Sequence, residues 1–236
     1  MFETPQFVTG PWSNREKPVF LEDREYGLAL DALVKGCSDV LVVSADGQRV
    51  LLGRRKVEPQ PDWWYIGGRV RPGDTTTAGA SRNVRRELGL EFPEERFEVV
   101  ANYSLVWAYR LQAPQDNGTA DISTIHALYL TEEEEKNGVR SLDPDEYAES
   151  KWWNIDEVIS QTVRFHPCLI SSLKSLKARQ ALHALEKATD DGSGNDADSI
   201  AEKALEFVKA VQNAKATQKS TRVIFDEKNC KYIEQK

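Results

Sequence analysis

Gly67-Gly-Arg-Val-Arg-Pro-Gly-Asp-Thr-Thr-Thr-Ala-Gly-Ala-Ser-Arg-Asn-Val-Arg-Arg-Glu-Leu-Gly-Leu90 is the stretch that decides how this 236-residue chain folds. A glycine turn leads into a helical pattern from Thr75 to Leu88, and Gly89 stops it. Such a turn aims backbone amides and a helix N-terminus at an anion. Asn83 and Glu87 are four apart and share a helix face, with Arg86 beside them.

The flanks support an α/β reading. Before the turn, Trp63-Trp64-Tyr65-Ile66 reads as one aromatic strand. Further back, Asp39-Val-Leu-Val-Val-Ser44 and Arg49-Val-Leu-Leu-Gly53 form a hairpin about Asp46-Gly47. Residues 97–110 and 122–130 predict two more strands, and Trp152-Trp153 ends another, with Asn154 or Asp156 as a helix cap. The charge run Glu132 to Glu135 reads as a solvated turn. Outside this core, residues 1–35 form an irregular arm and a helix from Glu22 to Lys35. Residues 166–236 form a helical extension, with an acidic linker near 189–198 and no clear pattern in the last twenty residues.

Composition narrows the classes. A net charge of −7 argues against holding nucleic acid by its phosphates, which needs a basic face. Cys37, Cys168 and Cys230 form no metal or disulfide spacing, and no apolar run approaches the roughly 18 residues of a membrane span. With no signal-peptide pattern at residues 1–11, a cytoplasmic protein is the expectation.

The Gly67–Leu90 stretch resembles the Nudix box: Gly68, Arg82, Glu87, Gly89 and Leu90 fall in register, and Asp74 replaces the first acidic position. The resemblance implies a Nudix α/β/α sandwich with a mixed sheet over about residues 36–165. It also implies a hydrolase of nucleoside diphosphate derivatives. Two box glutamates are replaced, by Asn83 and Arg86, leaving one carboxylate on the helix, Glu87, next to a cation. Binding of two or three metal ions by this helix alone is therefore not expected.

Leu52-Gly-Arg-Arg-Lys56, Trp64-Tyr-Ile-Gly-Gly-Arg-Val70 and Arg82 with Glu87 resemble the GDP-mannose mannosyl hydrolase branch of the family. That likeness implies a nucleotide-sugar substrate and one Mg²⁺, with Mn²⁺ as an alternative. The ion would be held by the Gly67 carbonyl, Glu87 and Glu146, and Arg55, Arg69 and Asp39 would meet the substrate. Arg82 would orient Glu87 or contact the ligand. Where the branch has a histidine base, this chain has Tyr147, a poor base at an unperturbed pKa of about 10. The base is left open among Glu146, Tyr147 and Asp39, and so is the choice of carbon or phosphorus as the attacked atom.

Other residues carry less. His126, His166 and His183 read as structural or without a role, and Trp63, Trp64 and Trp107 as either base-stacking or core residues. Two alternatives accompany the hydrolase reading. One is a weakened Nudix scaffold that binds a nucleotide or a partner, and the other a pyrophosphohydrolase cutting P–O bonds. Homodimerisation is left open.

Overall fold

The computed structural model describes residues 4–10, 19–137, 142–190 and 197–235. The chain divides into two compact units, Met1–Trp153 and Asn154–Lys236. In the first, a seven-stranded mixed sheet is organised around its most apolar strand, β1 (Lys35–Val43), whose residues Val40 to Val43 are fully buried. β1 pairs antiparallel with β2 (Arg49–Arg55) through the expected hairpin and parallel with β6 (Thr119–Tyr129). β6 in turn pairs antiparallel with β5 (Glu98–Trp107), and β7 (Tyr147–Asn154) pairs with β2.

The aromatic strand expected at 63–66 is two strands. β3 (Trp63–Trp64) pairs with Gly53 and Arg54 of β2, whereas β4 (Ile66–Arg69) pairs with Cys37 to Val40 of β1. The chain changes partner at Tyr65, which is buried. This switch places the Gly67-Gly68 turn directly opposite Asp39 and Ser38.

The box helix, α2 (Thr76–Leu88), begins where Thr75 Oγ1 accepts the Ala78 amide and ends on left-handed Gly89 at φ 67°. Both ends follow the sequence expectation. Ala80, Val84 and Leu88, spaced by four, form its buried stripe and pack with Val40, Val42, Ile66 and Leu128 of the sheet. Asn83 and Glu87 lie on the adjoining stripe and are also buried, so polar groups share this interface with the core.

Ahead of the sheet, α1 (Asp23–Ala32) is tied to the β5–β6 connection. Arg110, 2% exposed, donates to Asp31 Oδ1 at 2.6 Å and to the Gly118 carbonyl at 3.2 Å. Asn117 donates to the same Asp31 oxygen at 3.1 Å.

The charge run expected to be a solvated turn is a short helix, α3 (Glu132–Asn137). Its N-terminus carries a reciprocal cap: Thr131 Oγ1 accepts the Glu134 amide, and Glu134 accepts the Thr131 amide. Glu134 and Glu135 pair with Arg96 and Arg49, so these charges are partnered.

In the second unit, Asn154 caps α4 (Ile155–Ser160) as expected, and α5 (Pro167–Asp190) packs on α6 (Ala197–Thr217). Most of the expected acidic linker, 191–196, lies outside the described residues, as does part of the N-terminal arm; residues 189–190 and 197–198 are helical. The final segment, read as patternless, forms a hairpin of β8 (Arg222–Asp226) and β9 (Lys231–Gln235). Its turn is held by Asp226, which accepts the Lys228 and Asn229 amides; this local side-chain bonding leaves little trace in hydrophobic periodicity. Among the described residues no helix is long and apolar enough to cross a membrane.

Candidate active site

One cleft in the first unit collects most of the residues expected to act. Asp39, Arg55, Gly67, Arg69, Glu146 and Tyr147 all line it, joined by Tyr26, Lys35, Trp64, Arg86, Trp107 and Asp121. The partner switch at Tyr65 explains this convergence. It puts the end of β2 with Arg55, the middle of β1 with Asp39 and the Gly67-Gly68 pair around one hollow.

The turn itself requires glycine. A side-chain carbon on Gly67 would fall on Asp39 Oδ1 and within 2.7 Å of Ser38 O. One on Gly68, at φ 155°, would lie 3.2 Å from Arg86 Nη2. The glycines therefore let both the aspartate and the arginine approach the backbone.

Two carboxylates that line the cleft, Glu146 and Asp121, are each paired with a cation. Glu146 accepts from Arg55 Nη2 at 2.9 Å, and Asp121 pairs with Lys35 at 2.9 Å while accepting from Trp107 Nε1 at 2.9 Å. Arg55 is largely buried, and its Nε meets no acceptor among the described residues. Arg69 lies 5.3 Å from the Tyr26 ring centre, and no carboxylate pairs with it among the described residues. Asp39 is buried and accepts from Ser123 Oγ at 2.6 Å. Burial pushes its carboxyl up to about 6, against the Ser123 hydrogen bond and the Arg55 charge.

Glu87 is 6% exposed and does not line the cleft. Its Oε1 accepts from Arg86 Nε at 2.8 Å and from Arg86 Nη2 at 2.5 Å. The same Nη2 donates to the Gly67 carbonyl at 3.1 Å, and Nη1 reaches Asn83 Oδ1 at 3.4 Å. Burial raises the Glu87 carboxyl above its ordinary value, and the Arg86 charge opposes that.

Two expectations change. Arg82 neither touches Glu87 nor lines the cleft. It bonds Asp74 Oδ2 at 3.1 Å, the Arg69 carbonyl at 3.1 Å and Asn83 Oδ1 at 3.2 Å, which holds the loop before the helix. Tyr147 is 5% exposed and packs in the core, its ring against Gly53. Burial, with Glu87 and Glu146 nearby, pushes its phenol further above the normal tyrosine range. It forms a wall of the cleft and holds no phenolate at neutral pH.

Asn83 has a structural task. Its Nδ2 donates to the carbonyls of Ser38 at 3.1 Å and Gly68 at 3.0 Å, pinning α2 to both strands of the turn. A glutamate there has no hydrogen to donate.

Sequence reading undervalued Arg86 and passed over Tyr26, Lys35 and Asp121. The signal for Arg86 was its place beside Glu87 and three residues after Asn83. Lys35 and Asp121 stand opposite one another only in the parallel β1–β6 register, which single-sequence periodicity does not reveal. Tyr26 belongs to a helix assigned to the arm outside the domain. His126, the one histidine in this unit, is fully buried in the sheet with its ring nitrogen 3.2 Å from Ser38 Oγ, which fits the structural reading of it.

The Nudix resemblance implies a divalent ion held by Gly67, Glu87 and Glu146. They do not fit one in this arrangement. Arg86 holds both the Gly67 carbonyl and Glu87, while Glu146 is bound to Arg55. Among the described residues no group of three or more His, Cys, Asp or Glu side chains converges on a point.

The chain is similar to a MutT protein from Methanosarcina mazei Go1, at 15% identity and TM-score 0.47, covering 71% of this chain and 99% of that one. It is similar to the Ap4A hydrolase of C. elegans, at 16% identity and TM-score 0.42, covering 63% and 99%. A third similar structure is the bifunctional NMN adenylyltransferase/ADP ribose pyrophosphatase from Francisella tularensis, complexed with AMP and Mn ion. It shares 15% identity at TM-score 0.37, with 58% and 42% coverage. No curated protein matches. The NUDIX domain family matches residues 37–173, more than half of the chain, and the chain belongs to that family.

Proposed function

We propose that this chain is a hydrolase of a nucleoside diphosphate derivative, with a nucleotide sugar of the GDP-mannose kind as the best candidate. The observation that carries the proposal is the composition of one cleft. Lys35, Arg55, Arg69 and Arg86 surround the Gly67-Gly68 turn, and Tyr26, Trp64 and Trp107 stand beside them. Guanidinium groups suit phosphate oxygens through paired, charge-assisted bonds, and aromatic faces suit a base.

Arg55 and Arg69 would bind the two phosphates and stabilise the charge that develops on the leaving diphosphate. A water molecule would attack the bond to the second group and lose its proton to a carboxylate. Asp39 and Glu146 are the candidates, because the buried Tyr147 phenol stays protonated. Of these, Glu146 is paired with Arg55, and Asp39 lines the cleft with Ser123 as its one side-chain hydrogen-bond partner among the described residues. Mg²⁺ at Gly67, Glu87 and Glu146 is an expectation of the resemblance that the position of Arg86 does not support.

Incubation with a panel of nucleotide sugars and other nucleoside diphosphate derivatives, with products identified by mass, tests the proposal. Release of a nucleoside diphosphate or monophosphate supports it. In ¹⁸O-water, label in the sugar means attack at carbon, whereas label in phosphate means a pyrophosphohydrolase.

A binding scaffold is a second reading. The pairing of Glu87 and Glu146 each with its own arginine favours it, since one oxygen of each carboxylate is already engaged by a guanidinium. Tight nucleotide binding with no product after overnight incubation would select this reading.

A further inference from the structure

We infer that Arg86 supplies from within the chain the positive charge that a divalent ion would bring to this site. The cleft therefore takes its diphosphate without Mg²⁺ or Mn²⁺. The inference rests on the diphosphate-ligand reading above and is carried by the bonds of one side chain. The guanidinium Nη2 lies between the Gly67 carbonyl, at 3.1 Å, and Glu87 Oε1, to which Nε also donates at 2.8 Å. Those two oxygens are the first donors an ion at the turn would need.

Three features make the arrangement a built one. Arg86 lies close against the glycine backbone, where a carbon added to Gly68 would meet its Nη2 at 3.2 Å. Asn83 Oδ1 supports Nη1 from the helix while its Nδ2 fixes the turn, so the same residue positions both partners. The acceptor is buried and the donor is not: the Glu87 side chain is 3% exposed and that of Arg86 53%. A buried carboxylate needs a partner cation, and here the partner lines the cleft where a ligand anion would lie.

Charge gives the consequence. A glutamate at position 86 would set two adjacent carboxylates and a carbonyl at one point, a hard-oxygen set suited to a small divalent cation. Arginine there leaves one carboxylate already neutralised, and a cation entering would have to displace it against like-charge repulsion. The exposed part of the guanidinium is then the electrophilic group available to phosphate oxygens.

The test has a metal arm and a nucleotide arm, both on the full chain. In the metal arm, Mn²⁺ is titrated alone and followed by electron paramagnetic resonance. Wild type is expected to show no Mn²⁺ signal that depends on Glu87. Arg86→Glu is expected to gain a site tighter by about tenfold or more, lost again in Arg86→Glu with Glu87→Gln. Circular dichroism confirms that each variant folds; Arg86→Ala serves as the neutral control. Tight Mn²⁺ binding by wild type that Glu87→Gln removes would overturn the inference.

In the nucleotide arm, GDP and ADP are titrated by calorimetry in EDTA and in excess Mg²⁺. Affinity is expected to agree within about twofold, and Arg86→Ala in EDTA to lose about tenfold. Binding that appears only with Mg²⁺ would overturn the inference. If neither nucleotide binds in any buffer, the diphosphate reading fails, and the Mn²⁺ arm alone decides whether Arg86 stands in place of the ion.

Discussion

Arg86 and Glu87 are neighbours on α2 whose side chains meet through two hydrogen bonds to one oxygen, Glu87 Oε1, and the same guanidinium reaches across to the Gly67 carbonyl of β4. The helix that marks the family is thus closed onto the strand turn by an arginine in a box-glutamate position. Its remaining glutamate serves first to hold that arginine.

Asn83 makes the companion clasp, and restoring the box glutamate there should harm the fold. Asn83→Glu removes two donated bonds, to Ser38 and Gly68, and sets a buried carboxylate against two carbonyl oxygens. Leaving such groups unsatisfied costs about 2–4 kcal/mol. Urea denaturation should show that loss with an unchanged slope, and a variant as stable as wild type would contradict the clasp.

Gly67→Ala should fail for a steric reason. The added carbon would fall on Asp39 Oδ1 and 2.7 Å from both Asp39 Cα and Ser38 O. Overpacking of this kind costs about 1–3 kcal/mol. Nucleotide affinity should fall as well, because β4 must move away from β1 at the place where Asp39 and Arg86 meet the turn. Thermal melts and calorimetry on the one variant read both effects.

Asp39 gives a pH signature. Its carboxyl sits at about 6 in the fold against 3.8 as the ordinary value. Between those values the folded state holds more protons than the unfolded, so this group's contribution falls as pH rises through the window. The ionised form then costs the fold up to about 3 kcal/mol above pH 6. Asp39→Asn should be more stable than wild type at pH 8, with the gain vanishing below pH 4. His126, held near 4 by burial, acts in the opposite sense: its contribution is lost as pH falls from 6.5 towards 4. A stability difference between Asp39→Asn and wild type that is flat from pH 4 to 8 would contradict the assignment.

Arg110 holds α1 and therefore Tyr26. Arg110→Leu removes the bonds to Asp31 and Gly118. Limited proteolysis should then cut between residues 32 and 35 roughly tenfold faster than in wild type, because α1 loses its main polar anchor. Nucleotide affinity should drop in parallel if Tyr26 is part of the ligand site.

The fold was legible because its signals are local. Thr75, the Ala80–Val84–Leu88 stripe and Gly89 define α2 within one window, and the Asp46-Gly47 turn defines the β1–β2 hairpin. The split at Tyr65 was not legible, since a run of apolar aromatics gives no sign of where a strand changes neighbour. The capping pair Thr131 and Glu134 was present in the sequence but hidden inside a run of like charges. At the site, Asp39, Arg55 and Arg69 came from resemblance and meet in one cleft. Arg82 and Arg86 show the limit of that method. Both are arginines of the same helix, and only their reach across the turn decides that Arg86 holds Glu87 while Arg82 holds Asp74.

Lys35, Arg55, Arg69 and Arg86 together form the proposed diphosphate site of the cleft. Its most direct test is calorimetric titration of wild type with guanosine, GMP and GDP, and with adenosine, AMP and ADP, in EDTA. Affinity is expected to climb with each phosphate, by about tenfold for the second, and Arg55→Ala to remove most of that climb. Equal affinity for nucleoside and nucleoside diphosphate in both series, unchanged in Arg55→Ala, would contradict it.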